Sequence, residues 1–455
     1  MRATSFGKGV RHALIGALIA AGLNATPAAA IDLLRCYELA RLNDGQLKVA
    51  RARADAGREA LPQANAQLFP NISASGAYGR NEQDRSLGSI TEPTQYFPSR
   101  AGALTLRQPV FRLNLLSQRE EAKSKVKGVD AQLDTDYQAM GVRLASAYFE
   151  ALFARDSLDL IGSQKVSYAA QLRAAKMALG AGTGTRTDID DIQARYDLLL
   201  ADEIRARQAI TAATEQVEIF IGERITVLST LDPASFRADA HDPGLLAEWL
   251  ERALEYNPEL RTLKAQWDAA VASIDTAHAG HYPTVDLLVQ HTESLGESTN
   301  LSPRTEIKSN YVGVQLNVPI FAGGYVNSTV RQATATAEQA REGYEYARDD
   351  LKLRVKREFD ALKAGISRVR ALEQAVASAD QVVLSNQKGV QAGTRTTLDV
   401  LTVEQQRFNA QVELAKARYQ FLLSWATLQS YVGELNMEQI ARINRALKEP
   451  APVAL

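Results

Sequence analysis

The side chains in this sequence that could do chemistry are few and badly placed for it. His278, His281 and His291 are its only clustered histidines. A metal site needs three or four ligands converging on one point; no carboxylate completes a set here, one histidine follows a helical stretch and another lies on a strand-like one. No glycine-rich phosphate loop and no nucleophile motif occurs in a strand–helix setting. The reading is therefore not an enzyme, with no metal and no cofactor. A single cysteine, Cys36, excludes an intrachain disulfide. Its position near the start invites a lipoprotein reading, but Arg35 before it is too large and charged for a lipid-attachment site. Cys36 is read as a structural thiol.

The informative residues are those that recur. Gly184-Thr185-Arg186-Thr187 returns as Gly393-Thr394-Arg395-Thr396, and Leu106-Arg107-Gln108-Pro109-Val110-Phe111 as Leu316-Asn317-Val318-Pro319-Ile320-Phe321. Ala147-Tyr148-Phe149-Glu150-Ala151-Leu152 returns as Arg357-Glu358-Phe359-Asp360-Ala361-Leu362, and Phe220-Ile221-Gly222-Glu223 as Tyr431-Val432-Gly433-Glu434. Two copies of one unit make pseudo-symmetry the first expectation, and any function must use both halves. The expected organisation is a signal segment over 1–30, a first repeat over 31–224, a linker over 225–256, a second repeat over 257–434 and a tail over 435–455. Each repeat holds a helix, two strands and two long helices.

Within the first 30 residues, Arg2, Lys8 and Arg11 precede an apolar stretch and an Ala28-Ala29-Ala30 cleavage site, the pattern of a secretory signal. Removing three cations from a chain of net charge −1 leaves −4, and no basic patch marks a nucleic-acid partner. No later segment is apolar enough to span a bilayer as a helix.

All 14 prolines fall outside residues 110–232 and 320–449. Proline breaks the helical hydrogen-bond ladder, so such spans permit very long helices. Leu133, Tyr137, Met140, Leu144, Ala147, Ala151, Ala154, Leu158, Ile161, Tyr168, Leu172, Ala175 and Leu179 follow steps of four and three, interrupted only at Lys165. After a glycine-rich break at 180–184, Ile192, Tyr196, Leu199, Ala206, Ile210, Ala213, Val217 and Phe220 continue the pattern, interrupted only at Glu203. That spacing is the seam of a left-handed coiled coil, and its alanines let helices approach closely. A helix over 115–179 would be roughly 100 Å long. Each half thus predicts two long antiparallel helices, turning near Gly182 in one and Gly393 in the other.

Strand-like segments precede each helical span, over 71–80, 102–108, 284–292 and 309–318. Val312, Val314, Leu316 and Val318 alternate with Gln315 and Asn317; Val285, Leu287 and Val289 oppose Asp286 and Gln290; Ile72, Ala74 and Tyr78 oppose Ser73 and Ser75. Apolar-out, polar-in alternation over about ten residues is the pattern of a membrane β-barrel strand. Residues 81–100 and 293–308 read as polar loops. Phe69, Tyr282, Phe111 and Phe321 flank the strands, fitting either an aromatic girdle at the membrane interface or packing at the strand–helix junction. Four strands cannot enclose a lumen, and an open edge in lipid leaves amides unpaired at several kcal/mol each. Several chains must therefore share one barrel.

These residues resemble the TolC-type outer-membrane channel proteins over 31–437. The marks are Tyr37-Glu38-Leu39-Ala40-Arg41-Leu42-Asn43-Asp44, the Pro-Val-Phe and Pro-Ile-Phe strand ends, and Ala392-Gly393-Thr394-Arg395-Thr396-Thr397-Leu398-Asp399-Val400-Leu401. The resemblance implies an α+β fold: duplicated β-hairpins with long coiled-coil helix pairs, assembled as a homotrimer. Its twelve-stranded barrel would sit in outer-membrane lipid and continue into a twelve-helix tunnel across the periplasm. It implies a passive exit duct for type I protein secretion or multidrug efflux, with a periplasmic membrane-fusion adaptor and an inner-membrane ABC or RND transporter as partners. It further implies a periplasmic gate at Thr187, Asp188 and Arg395, and a constriction ring at Asp399. Gly182, Gly184, Thr185, Gly393 and Thr394 become the adaptor-docking turns. Two positions depart from the family pattern, Thr402 in place of a second ring aspartate and Val390 in place of a gate tyrosine. Lacking a lipidation signal, the chain looks more like the protein-secretion branch than the lipidated drug-efflux branch.

The competing reading is a soluble periplasmic coiled-coil scaffold or adaptor, which gives no reason to duplicate the β segments. Electrophoresis of the outer-membrane fraction separates the two. The channel reading expects a trimer whose migration changes on heating, and a detergent-free monomer would overturn it.

Overall fold

The computed structural model describes residues 30–84, 86–91, 93–233, 235–296 and 305–448. The signal segment, save Ala30, and the end of the tail lie outside the described residues. The chain forms two compact units, one of Met1–Lys48, Gln138–Leu246 and Lys356–Leu455, the other of Val49–Tyr137 and Ala247–Val355.

The second unit carries β1 (Asn71–Gln83), β2 (Gln95–Phe111), β3 (Thr284–Gly296) and β4 (Thr305–Asn317). They form one antiparallel sheet in the order β1-β2-β3-β4, so each sequence copy supplies a hairpin and β2–β3 joins the copies. The strands run further than their apolar pattern indicates. Pairing continues to Gln83↔Gln95 in the first hairpin and Gly296↔Thr305 in the second, through residues read as loops. Ladder bonds join backbone groups and are indifferent to side-chain polarity, and polar pairs support the extension: Tyr96 Oη donates to Glu82 at 2.8 Å. Pro109 lacks a donor for the ladder, and the β2–β3 register shifts between it and Phe111.

Register sorts the faces. Ile72, Leu106, Val289 and Val312 form one cross-sheet row, whereas Ser73, Thr105, Gln290 and Tyr311 form the row on the opposite face. The apolar face is uncovered, with Ile72 65%, Val312 72% and Leu316 62% exposed. Phe69, Tyr282, Phe111 and Phe321 are exposed as well, so none serves as core at the strand–helix junction within the chain. At the helical end of the polar face, Asp286 accepts from Arg107 Nε and Nη2 (2.9 and 2.6 Å) and from Arg112 Nε (2.7 Å), pinning β2 to β3.

Helices α2 (Gly45–Arg58), α3 (Ala60–Ala66), α6 (Leu246–Tyr256) and α7 (Pro258–His278) accompany the sheet, with the starts of α4 (Leu113–Gly180) and α8 (Tyr325–Gln391). Their packing is close. A Cβ on Gly57 would lie 2.7 Å from Val129, and one on Gly128 3.3 Å from the Ala265 methyl. Asn257 caps α7 by accepting from Leu260 N at 2.9 Å, with Pro258 at the first helical position where no donor is needed.

The first unit holds α1 (Leu33–Asn43), α5 (Arg186–Ile221), α9 (Thr397–Tyr431), α10 (Met437–Asn444) and the later parts of α4 and α8. The helix read from sequence over 115–179 is α4. Its seam is the core: Met140, Leu144, Ala147, Ala151, Ile161 and Tyr168 are buried, as are Ile192, Leu199, Ala213, Val217 and Phe220 of α5. The linker and the tail pair through Thr230–Leu231 and Leu447–Lys448. Cys36 lies inside α1 with no exposed surface, and burial, then the nearby Asp32, pushes its thiol up to about 12. Among the described residues, no helix is long and apolar enough to cross a membrane.

The two interruptions of the seam meet. Lys165 Nζ lies 2.6 Å from Glu203 Oε2, with the Glu203 side chain 9% and the Lys165 side chain 31% exposed. Arg207 also reaches Glu203. The Lys165 hydrogen bond holds the Glu203 carboxyl below its ordinary value. A carboxyl depressed in the folded state stabilises above its unfolded pKa, about 4.3, and the contribution is lost as pH falls through the folded value. Lys165→Met is expected to cost about 1 kcal/mol by removing the hydrogen bond to Glu203 Oε2 and leaving Arg207 as its remaining cation, with most of the loss recovered in Lys165→Met/Glu203→Leu. Thermal melts of both variants check this, and the deficit of the single variant should shrink below about pH 4.

Candidate functional site

The residues singled out by the repeat sit at the two helix turns of the first unit. After α4, Gly182 has φ 73°, and Thr183 N and Oγ1 both donate to Ala178 O (3.0 and 3.2 Å). After α8, Gly393 has φ 72°, and Thr394 N and Oγ1 both donate to Gly389 O (2.9 and 3.2 Å). Only glycine takes this left-handed conformation without cost. The following helices start alike. Thr185 caps α5, its Oγ1 accepting from Asp188 N at 3.1 Å while Asp188 Oδ2 accepts from Thr185 N at 3.2 Å. Thr396 caps α9, accepting from Asp399 N at 3.2 Å while Asp399 Oδ2 accepts from Thr396 N at 2.9 Å. Both are reciprocal capping boxes.

This geometry corrects the repeat alignment. By sequence, Gly184-Thr185-Arg186-Thr187 matches Gly393-Thr394-Arg395-Thr396. By conformation, Gly182 corresponds to Gly393, Thr183 to Thr394, Gly184 to Arg395, Thr185 to Thr396 and Asp188 to Asp399. Each turn has room for one side chain at a shared contact. A Cβ on Gly184 would sit 3.1 Å from the Ala178 methyl, and one on Gly389 would sit 3.1 Å from Arg395 Cβ. The first turn keeps Ala178 and places glycine opposite; the second keeps Arg395 and places glycine in the helix. That exchange of the small residue shifts the apparent match.

Asp188 and Asp399 are thus equivalent first-turn carboxylates. Hydrogen bonds from the Thr396 N–H and hydroxyl, with the Arg395 cation nearby, hold the Asp399 carboxyl below the usual carboxylate range. Among the described residues no ion pair joins Asp188 to Arg395 within the chain. Arg395 and Thr187 are exposed. Thr402 Oγ1 donates to Leu398 O of its own helix at 2.9 Å. The histidines are divided: His281 Nε2 lies 3.2 Å from Asn327 Oδ1, and His291 Nδ1 2.6 Å from Asn310 Oδ1 on the sheet. Sequence reading missed the buried polar contacts of α9, where Glu404 and Gln429 are both 3% exposed. Their signal would have been polar residues on an otherwise apolar helix face.

The model of the outer membrane efflux protein family matches residues 36–223 and 249–434, once in each copy. The chain belongs to that family. Its relatives include the proteases secretion protein PrtF of Dickeya chrysanthemi, 30% identical with 95% of this chain and 94% of that one covered. The alkaline protease secretion protein AprF of Pseudomonas aeruginosa is 31% identical, covering 90% and 85%. The outer membrane protein TolC of Escherichia coli is 30% identical, covering 92% and 85%. Among solved structures, the outer-membrane channel OprN matches with a TM-score of 0.75 at 20% identity, covering 88% of this chain and 90% of that one. The open-state MtrE channel of Neisseria gonorrhoeae matches with a TM-score of 0.71 at 19% identity, covering 89% and 90%. This family member is therefore an outer-membrane channel protein that extends into the periplasm, and it is not an enzyme.

Proposed function

We propose that three copies of this chain close a twelve-stranded barrel and a continuous helical tunnel, forming the exit duct of a type I protein secretion system. One observation carries the reading: a sheet with an uncovered apolar face and two edges, β1 and β4, that are unpaired among the described residues. Backbone edges are not tolerated in lipid, and copies of the same chain supply the missing partners. A soluble scaffold gives no account of Val312, Val314 and Leu316 standing exposed in one row of positions. Protein cargo is favoured by the likeness to two secretion proteins named for proteases. Burial of Cys36 within a helix favours the unlipidated branch. A periplasmic adaptor at the turns around Gly182 and Gly393, and an inner-membrane transporter beyond it, complete the export path.

The duplication specifies the seam between copies. Asn71 faces Arg107 as Thr284 faces Asn317, so β1 corresponds to β3 and β2 to β4. Within the chain Leu106 faces Val289. The counterparts of that pair are Leu316 and Gly76, so in the proposed barrel Leu316 of one copy stands opposite Gly76 of the next. Leu316→Cys/Gly76→Cys should form a chain-to-chain cross-link in outer membranes that yields covalent trimers. Cross-linking of Leu316→Cys only to a cysteine at Tyr78 or Ala74 would refute the register, and none at any site would refute the shared barrel.

At the turns, Asp188 and Arg395 of neighbouring hairpins, with Thr187 beside them, hold the resting gate, and Asp399 lines the constriction. Each exposed pair contributes about 0–1 kcal/mol, weak enough for a docking partner to release. Arg395→Ala and Asp188→Asn, the second retaining the cap acceptor, should each raise single-channel conductance in planar bilayers. Unchanged conductance in both would remove the gate from these residues.

A further inference from the structure

Two different materials hold the helices of the first unit together. Along α4 and α5 the contact is an apolar seam broken by the Lys165–Glu203 pair; α9 meets α4 through the stacked rings of Tyr419 and Phe149, but around Glu404 the contact is made of buried polar groups held by neutral donors. Glu404 of α9 is 3% exposed. Its Oε2 accepts from the Ser167 hydroxyl at 2.8 Å and from Gln171 Nε2 at 2.6 Å, both on α4. Its Oε1 accepts from Gln387 Nε2 of α8 at 3.4 Å. The next residue extends the contact, with Gln405 Oε1 accepting from Gln164 Nε2 at 3.1 Å and from Tyr168 Oη at 3.3 Å. Leu401, one turn earlier, adds an apolar anchor against Ile161, Tyr168, Ile192 and Leu199. Among the described residues no lysine or arginine pairs with Glu404.

The first copy differs at the matching position. The equivalence of Asp188 with Asp399 places Gln193 where Glu404 stands, and Gln193 Nε2 donates to Asp197 Oδ1 of its own helix at 2.9 Å. The contact is therefore directed from the second hairpin to the first and breaks the pseudo-symmetry. Its chemistry also differs from a seam. Apolar helix faces resist separation because parting them wets hydrocarbon. A carboxyl held by hydroxyl and amide donors exchanges each bond for one to water when the helices part, so the net cost is modest. The joint is strict in geometry while closed and cheap to open.

We propose that Glu404 is the positioning residue that latches the α8–α9 hairpin onto α4 in the closed channel, acting with the gate residues at the turns rather than through them. This rests on the gate reading above. Glu404→Leu, which fills the space but accepts no hydrogen bond, should leave outer-membrane trimers intact and raise the open fraction of single channels about tenfold. Glu404→Gln should restore most of the closure, because its carbonyl oxygen still accepts from Ser167 and Gln171 and the Gln387 amide can turn to face the new amide. Ser167→Ala/Gln171→Met removes the same bonds from the α4 side and should likewise raise the open fraction. It also serves as the test should Glu404→Leu not assemble. Wild-type gating in Glu404→Leu and in Ser167→Ala/Gln171→Met, alongside a raised conductance in Arg395→Ala, would overturn the latch and leave the gate standing. Flat responses in all of them, Arg395→Ala included, would overturn the gate reading itself.

Discussion

An unpaired backbone edge in hydrocarbon is the constraint on which this molecule depends. Each amide left without a partner there costs several kcal/mol, and among the described residues β1 and β4 each present one row of them along the outer edge. The four strands of the described sheet cannot satisfy both edges by themselves, and the shared barrel proposed above answers that constraint. The duplication makes that economical, because a β1–β4 contact between copies can repeat the β2–β3 contact already made within the chain. The same edge-to-edge logic explains why polar residues such as Glu82, Tyr96, Glu293 and Lys308 stay on the ladder beyond the apolar rows. Once backbone pairing is the requirement, the side chains need only suit the medium at each height.

The helices obey a different rule. Alanine-rich seams and glycines such as Gly57 and Gly128 bring helix axes close and give packing that is hard to undo. Against that background, the polar groups mark where the packing is specific. Lys165 and Glu203 neutralise each other inside the α4–α5 seam, and Asp286 collects two guanidinium groups at the foot of the sheet. Glu404 is held by neutral donors alone. A buried group with a full charge partner resists separation, whereas one held by amides and a hydroxyl yields to water. On the proposed latch reading, the distribution of these groups separates fixed joints from movable ones.

The two turns show how one local solution tolerates different sequences. Each needs a glycine in the left-handed region, a threonine whose hydroxyl caps the outgoing helix and an aspartate three residues on. Beyond that, one turn carries Gly184 and the other Arg395 at the same place. At that one position, therefore, only the second turn carries a cation; the first places Arg186 two residues later, at the start of its helix.

Much of this protein was legible from its residues alone, because long-period patterns constrain structure cumulatively. The proline-free spans and the seam from Leu133 to Leu179 set the length and partner face of α4 to within two residues at each end. Alternation at Ile72, Val285 and Val312 assigned the faces of the sheet. What depended on a single side chain meeting another distant in sequence was not legible. Periodicity marks Lys165 and Glu203 as faults in a seam but carries no information that they face each other. A four-residue identity placed the repeat two positions out of register at the turns, because conformation there follows the sign of φ and the room for one Cβ. Glu404 reads as one more surface charge on a helix until α4 and α8 are packed around it; only tertiary structure decides which polar residues lose their water.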